Sequence, residues 1–192
     1  MKIQGLQKLT LLDYPEKVAC TVFFAGCNFR CPFCHNASLV THISEEPEMT
    51  EEAFFTFLKK RQGILDGVCI TGGEPLLQPD IEDFIRKIKE LGYAVKLDTN
   101  GSFPTKLKTL VEKGLVDYVA MDIKNSREAY GITAGVEKIY IASVEVSVAY
   151  LKEGKVPYEF RTTVVKYLHT KKSCKDLVSG LQGAKNISCR IL

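Results

Sequence analysis

Apolar and β-branched runs alternate with segments of helical period along most of the chain. Each run predicts a strand, because Val, Ile, Phe and Tyr are enriched in sheets. Six strands are predicted in this way, over residues 18–24, 67–71, 93–97, 118–123, 158–165 and 187–192.

The segments between these strands predict five helices. The clearest carries Ile81, Phe84, Ile85, Ile88 and Leu91 on one face, as an amphipathic helix requires. The others are predicted over residues 50–61, around residues 107–111, over 136–152 and over 173–182.

Strands that alternate with helices imply parallel βαβ units with right-handed crossovers. Periodicity alone does not separate an open doubly wound sheet from a curved partial barrel. In both architectures ligands bind beyond the carboxyl ends of the strands. No repeat or linker interrupts the pattern, so residues 1–192 are predicted to form a single α/β domain.

Composition excludes several classes of protein. The chain is 45% hydrophobic and 26% charged, as soluble globular domains are. A net charge of +3 gives no electrostatic reason to expect nucleic acid or an anionic membrane as a partner. No apolar run approaches a membrane span or a secretory signal. We therefore expect a cytoplasmic protein, whose seven cysteines stay reduced.

Three cysteines crowd into the loop that follows the first predicted strand. Cys27, Cys31 and Cys34 follow the spacing C-x3-C-x2-C, and thiolates this close can hold one iron–sulfur cluster. A four-iron cluster would then keep one iron free of protein ligands. Two alternatives remain open: C-x-x-C-H also fits haem attachment, and a zinc site could add His35 or His42.

The loop and its surroundings resemble the radical S-adenosylmethionine superfamily. The resemblance rests on the three cysteines, on residues 12–15 and 18–24 before them, and on Cys34-His35-Asn36. Within the superfamily the chain is similar to the activating proteins of glycyl-radical enzymes, above all the anaerobic ribonucleoside-triphosphate reductase type. The similarity runs from about residue 3 to residue 165 and implies a partial (β/α)6 TIM-like barrel, short at its C-terminus.

Gly72, Gly73 and Glu74 follow the second predicted strand. A glycine pair permits positive φ and close approach of the backbone to a ligand, although such a turn alone is usually a plain connection. The resemblance implies that this turn holds the amino group of S-adenosylmethionine. We expect Gly73→Val to weaken cofactor binding and to spare the cluster.

Three further strand ends supply candidate cofactor contacts. Asp98 and Asn100 end the third strand, and the resemblance implies that Asp98 approaches the ribose or helps to hold a monovalent cation. Asp122 and Lys124 end the fourth, and Lys124 is implied as partner of the methionyl carboxylate. On the fifth strand Arg161 shares a face with Glu159 and would face the cofactor or that acid. The resemblance adds Phe33, Cys34 and His35 as contacts.

The other cysteines and histidines carry no motif. Cys20 and Cys69 lie in apolar strands and are predicted to be small buried hydrophobes. Cys174 and Cys189 have no partner in any pattern, and His42 and His169 lie in polar segments typical of surface histidines.

The resemblance implies an enzyme that takes one electron from flavodoxin or ferredoxin. S-adenosylmethionine would be cleaved to a 5′-deoxyadenosyl radical, which would take a hydrogen atom from a glycine of a partner reductase. Three other functions stay open: an iron–sulfur electron carrier, a non-catalytic interaction module, and a radical enzyme acting on another substrate.

Overall fold

Seven strands form one sheet in a computed structural model that describes residues 1, 3–41, 43, 49–135 and 141–192. Their order in the sheet follows their order in the sequence. The first strand pairs antiparallel with the second, and every later pair is parallel. The strands are β1 (Ile3–Thr10), β2 (Ala19–Phe24), β3 (Gly67–Gly72), β4 (Ala94–Thr99), β5 (Tyr118–Asp122), β6 (Tyr158–Val164) and β7 (Ile187–Ile191).

The connections between the strands carry the helices. These are α1 (Ser38–Thr41), α2 (Glu51–Lys59), α3 (Ile81–Glu90), α4 (Pro104–Glu112), α5 (Tyr130–Ala134), α6 (Ile141–Lys152) and α7 (Lys171–Gly180), with a 3-10 turn at Pro75–Leu77. Hydroxyl caps fix two of the starts: Thr50 accepts from the Ala53 backbone N–H at 3.1 Å, and Thr170 and Ser173 form a capping box.

The strand order decides between the two predicted architectures. A doubly wound sheet reverses direction at a switch point, whereas this sheet runs from β1 to β7 without reversal. The prediction of a partial barrel is therefore confirmed.

Three strands or α-helices escaped the sequence pattern, namely β1, the four-residue helix α1 and the helix α5. The prediction of six strands was wrong by one, because β1 precedes them as an edge strand. Only Ile3 and Thr10 of β1 are buried, so its residues show no clear alternation. Helix α5 has five residues and ends at Gly135 with φ of 71°, too short for a helical period. Of the helix predicted over 136–152, the described part begins at Ile141, and residues 136–140 lie outside the described residues.

Three phenylalanines fix the strand that leads into the cysteine loop. The Phe84 ring of α3 stacks on Phe54 of α2 at 5.2 Å and meets Phe24 of β2 edge-on at 5.3 Å. All three side chains are buried. Apolar packing therefore fixes the end of β2, where the cysteine loop begins.

Within the described ranges, no helix has both the length and the apolar character needed to cross a bilayer. The assignment of residues 1–192 to a single domain stays a prediction.

Candidate active site

A cavity of about 610 Å³ opens at the carboxyl ends of the parallel strands. All seven strands contribute to its lining, from Gln7 on β1 to Ser188 on β7. Every site residue predicted from the sequence lines it except Glu74: Cys27, Cys31, Phe33, Cys34, His35, Gly72, Gly73, Asp98, Asn100, Asp122, Lys124 and Arg161. The structure thus brings residues from five separate chain segments to one place.

The cysteine loop connects β2 to α1 and is held by backbone contacts on both sides. The Gly26 N–H donates to the Leu39 carbonyl at 2.8 Å, and the Arg30 N–H donates to the Ala134 carbonyl of α5 at 2.8 Å. The Arg30 guanidinium also donates to the Cys27 carbonyl at 2.5 Å. Three sulfurs are therefore carried on a backbone that neighbouring elements position.

The chemistry of these sulfurs fits an iron–sulfur cluster. Burial raises the pKa of the Cys27 thiol to about 11, although a hydrogen bond from the Phe29 N–H at 3.3 Å opposes this. Burial also raises the pKa of Cys31. Iron must therefore displace thiol protons when it binds, and three thiolates are the ligands that such iron prefers.

The zinc alternative would need a fourth ligand beside the three cysteines. Among the residues that the structure describes, no three His, Cys, Asp or Glu side chains, the loop cysteines included, are gathered around a single metal position. His35 is exposed on the cavity lining, and His42 lies outside the described residues.

The glycine pair at the end of β3 packs against protein backbone. A Cβ on Gly73 would lie 1.9 Å from the Gly26 carbonyl oxygen, and one on Gly72, whose φ is +122°, would lie 2.3 Å from the Phe24 carbonyl oxygen. The Gly73 N–H donates to Phe24 at 2.9 Å. The turn thus supports the cysteine loop. A side chain on Gly73 would clash with that loop itself, and not only with a bound ligand as expected from the sequence.

Glu74 is fully buried and ties two loops together. Its Oε1 accepts from the Leu76 N–H at 3.0 Å and from the Thr99 hydroxyl at 2.9 Å, and its Oε2 accepts from the Asn100 N–H at 2.7 Å. Burial raises its pKa to about 7 in spite of these donors. The carboxylate therefore joins the end of β3 to the end of β4 and does not reach the cavity.

A row of five charged side chains, which we name the charge ladder, crosses the sheet below the cysteine loop. Along the row Lys96 contacts Asp98 at 2.5 Å and Asp98 contacts Arg161 at 3.1 Å. Arg161 then contacts Asp122 at 3.0 Å, and Asp122 contacts Lys124 at 3.1 Å. Arg161 is thus paired with Asp122 on the adjacent strand β5 and with Asp98 on β4, and not with Glu159, which was one of the two partners expected from its strand face.

Neighbouring charges shift the pKa values of two groups in the ladder. Burial raises the pKa of Asp122, but the charges of Lys124 and Arg161 outweigh it and hold that pKa at about 2. For Lys124 burial acts downward, and Asp122 outweighs it and leaves the pKa above its ordinary value. Of the row, Asp98, Asp122, Lys124 and Arg161 line the cavity, whereas Lys96 does not. Lys124 and Arg161 thus place two positive groups at the cavity wall, where an anionic part of a ligand can meet them.

The family profile of the radical SAM superfamily matches residues 21–180, from β2 through α7. This range includes the cysteine loop, the glycine pair and the whole charge ladder. The chain belongs to the radical SAM superfamily. Its cofactors are accordingly a [4Fe–4S] cluster and S-adenosylmethionine.

Curated relatives of this radical SAM protein carry several different names. A Methanocaldococcus jannaschii protein named as a glycyl-radical enzyme activating enzyme is 37% identical over 129 residues, 67% of this chain and 52% of the relative. Pyruvate formate-lyase-activating enzyme of Clostridium pasteurianum is 31% identical over 65% of this chain and 52% of its own length. A 7-carboxy-7-deazaguanine synthase of Methanopyrus kandleri is 32% identical over 54% and 48%. The chain spans about half the length of these relatives.

A solved structure supports the fold. SuiB of Streptococcus suis bound to S-adenosylmethionine covers 89% of this chain and 41% of its own, with a TM-score of 0.67 and 16% identity. A likeness at this identity concerns the fold, and it agrees with the partial barrel.

Lys96 is a member of the ladder that the sequence analysis missed. Its side chain is 2% exposed, and its ammonium lies 3.9 Å from the Cys69 sulfur as well as 2.5 Å from Asp98. Both Asp98 oxygens are thus engaged by cations, Lys96 on Oδ1 and Arg161 on Oδ2. A lysine inside an apolar strand, two residues before an aspartate on the same face, was the available signal.

His169 was expected at the surface, and that expectation was wrong. Its Nδ1 accepts from the Val165 N–H at 3.1 Å, and its Nε2 lies 2.9 Å from the Lys124 carbonyl. These partners assign the hydrogen to Nε2, which donates to Lys124. The half-buried ring therefore fastens the loop after β6 to the residue that ends the ladder.

Asn100 joins the cysteine loop to the end of β4. Its amide nitrogen donates to Asn28 Oδ1 at 2.9 Å and lies 3.9 Å from the Cys27 sulfur. Its Oδ1 accepts from the Ser102 N–H at 2.9 Å. This buried amide therefore gives the cysteine loop a second point of attachment, besides the one to α5.

Proposed function

We propose that this radical SAM protein is a cytoplasmic activating enzyme that installs a glycyl radical on a partner enzyme. The partner would be of the anaerobic ribonucleoside-triphosphate reductase type, and the electron donor a flavodoxin or ferredoxin. The observation that carries the proposal is the placement of the cysteine loop and of the ladder cations Lys124 and Arg161 on one cavity. Two relatives named as activating enzymes support it.

The three loop cysteines would hold the cluster, and the contacts of Gly26 and Arg30 would keep their sulfurs in register. When bound and reduced, the cluster would supply one electron for the reductive cleavage of S-adenosylmethionine to methionine and a 5′-deoxyadenosyl radical, which would abstract the glycine hydrogen atom. The chain itself provides binding, orientation and exclusion of water.

The charge ladder would orient the methionyl end of the cofactor. Lys124 stands at the end of the row, has a side chain 19% exposed and lines the cavity. Its ammonium can therefore meet a carboxylate while Asp122 keeps it charged. Arg161 is held by ion pairs with two aspartates and would provide a fixed positive charge at the wall of the pocket.

The backbone around Gly72 and Gly73 would carry the remaining cofactor contacts with Phe33 and His35, which line the same cavity. Glu74 would act as a positioning residue, because its two oxygens are already engaged by Leu76, Thr99 and Asn100. No proton transfer by a side chain is required.

The decisive experiment is anaerobic reconstitution followed by incubation with reduced flavodoxin, S-adenosylmethionine and a candidate reductase. We expect 5′-deoxyadenosine together with a glycyl-radical signal in electron paramagnetic resonance. A Cys31→Ser variant should give neither. The absence of 5′-deoxyadenosine from the cluster-loaded parent would leave an electron carrier or a non-catalytic module as the function.

The second candidate is a radical enzyme that acts on a small-molecule substrate. The relative named as 7-carboxy-7-deazaguanine synthase favours it. It predicts 5′-deoxyadenosine formation that no reductase stimulates and no glycyl-radical signal. The same incubation therefore separates the two functions.

A further inference from the structure

Lys96 is a buried lysine that the proposed function leaves unused. It lies on β4, its side chain is 2% exposed, and it does not line the cavity. A buried ammonium group costs free energy unless it is paired and hydrogen-bonded. Its position inside the sheet therefore needs a physical reason.

Asp98 is the counter-ion of Lys96. The Lys96 ammonium lies 2.5 Å from Asp98 Oδ1, and in the described part of the chain no other acidic side chain is within ion-pair distance of it. Its second neighbour is the Cys69 sulfur at 3.9 Å. Burial raises the pKa of the Cys69 thiol well above its ordinary value, so that sulfur carries no charge at neutral pH. Lys96 thus compensates one carboxylate.

Asp98 brings a negative charge to the cavity wall. Its side chain is 14% exposed and lines the cavity, and its Oδ2 accepts from Arg161 Nη1 at 3.1 Å. Lys96 and Arg161 therefore share this carboxylate. Without Lys96 the whole charge of Asp98 would act on Arg161 and on any anionic group in the cavity.

Arg161 is held ready for such a group. Its Nε donates to Asp122 Oδ1 at 3.0 Å and its Nη1 donates to Asp98. The third guanidinium nitrogen, Nη2, has no hydrogen-bond partner among the residues that the structure describes. Because the side chain lines the cavity and is 30% exposed, this nitrogen is the one available to a carboxylate ligand.

We propose that Lys96 is a positioning residue that strengthens binding of the S-adenosylmethionine carboxylate by compensating the charge of Asp98. It touches no ligand and acts through Asp98 and Arg161. The inference rests on the orientation of the cofactor given under the proposed function. It is independent of the substrate on which the radical acts.

The test compares two compounds that differ only in the carboxylate, S-adenosylmethionine and decarboxylated S-adenosylmethionine. Calorimetry on cluster-loaded protein gives the ratio of their affinities, and damage that affects both compounds equally cancels in this ratio. Lys96→Met should lower the preference for S-adenosylmethionine about tenfold. Lys96→Gln should lower it as well, because an amide can donate a hydrogen bond to Asp98 but carries no charge.

Lys89→Met is the matched control. It removes a lysine from an ion pair with Asp117 at 2.7 Å, and neither residue lines the cavity. The preference for S-adenosylmethionine should stay that of the parent.

A double variant tests whether Lys96 acts through Asp98. In Lys96→Met/Asp98→Asn both charges are absent, so the preference for S-adenosylmethionine should return to that of the parent. In cluster-free protein, urea unfolding should show each single variant to be less stable than the parent. The double variant should recover most of that loss, since it leaves no buried charge without its partner. If Lys96→Met does not fold, Lys96→Gln and the double variant carry the same comparison.

Three results would overturn the proposal: an unchanged preference in the Lys96 variants, an equal fall in Lys89→Met, or a double variant that keeps the loss. A parent protein that binds both compounds equally would overturn the orientation of the cofactor together with the inference. Failure of the inference alone is therefore distinguishable, because the parent would still prefer the carboxylate.

Discussion

The cysteine loop and the charge ladder face one cavity, but they are assembled in different ways. The loop takes its three sulfurs from eight consecutive positions, 27–34, and depends on neighbouring backbone for its shape. The ladder takes five charged groups from β4, β5, β6 and the second residue after β5, and side-chain contacts hold these groups together. Loss of one cysteine should therefore abolish cluster binding by the loop, whereas loss of one charged group should only weaken cofactor binding by the ladder.

The sharpest test of this contrast is removal of single cysteines. Cys27→Ala, Cys31→Ala and Cys34→Ala should each lose nearly all bound iron after anaerobic reconstitution, because a four-iron cluster cannot be held by two thiolates. Iron analysis and the visible absorption band provide the measurement. Cys69→Ala and Cys174→Ala are the controls, and comparable iron loss in either would refute the three-ligand loop.

A valine at Gly73 tests whether the loop depends on the backbone below it. The added side chain would overlap the Gly26 carbonyl, so the free energy of unfolding should fall by about 3 kcal/mol, and iron content should fall with it. Urea unfolding and iron analysis measure both. Gly180→Ala is a matched control, because no atom lies within 4 Å of a Cβ there and its φ is not positive.

Glu74 lies between the two regions, and its ionisation should make folding pH-dependent. Its pKa rises from 4.5 to about 7 on folding, so the folded state holds its proton more tightly than the unfolded state. The stability that this proton gives is complete below the unfolded pKa and is lost as the pH rises through 7. The loss amounts to about 3 kcal/mol.

Urea unfolding of cluster-free parent and Glu74→Gln from about pH 4 to about pH 8 checks this sign. The stability of the parent relative to the variant should decrease across the range, since Gln does not titrate. A relative stability that stays level or increases would show that Leu76, Thr99 and Asn100 keep the carboxylate ionised.

Lys124→Met tests the gradual behaviour of the ladder. It removes one charge and keeps most of the apolar stem, while Asp122 retains Arg161. Iron content should survive, and affinity for S-adenosylmethionine should fall about thirty-fold, the usual cost of a lost charge partner. Calorimetry on cluster-loaded protein measures the change. Lys172→Met, at an exposed site, should bind as the parent does, and equal affinity in Lys124→Met would remove Lys124 from the cofactor site.

The sequence best predicts those elements and sites that are encoded by neighbouring residues. Buried parallel strands read as continuous apolar runs, so β2 to β6 were found, and the cysteine loop was visible from its spacing. β7 was found as well, although all five of its residues are exposed. The edge strand β1 buries only its two ends and gave no pattern.

Side-chain partners from distant strands could not be predicted in the same way. Lys96 joins Arg161 through Asp98, and His169 reaches the Lys124 carbonyl from another loop. These pairings depend on strand register and on the path of the loops. From the sequence, Glu74 was expected to contact the cofactor. The structure instead shows that its carboxylate accepts a hydrogen bond from the Asn100 N–H.

The hydrogen bond from Arg30 to Ala134 has a bearing on how the protein matures. The cysteine loop emerges early in translation, but its backbone partner on α5 is made only after β3, β4 and β5. A nascent chain that presented its thiols before α5 existed would offer them on an unsupported loop, open to oxidation or to the wrong metal. Delivery of iron and sulfide should therefore be productive only after most of the barrel has left the ribosome, which makes cluster insertion a late event in biogenesis.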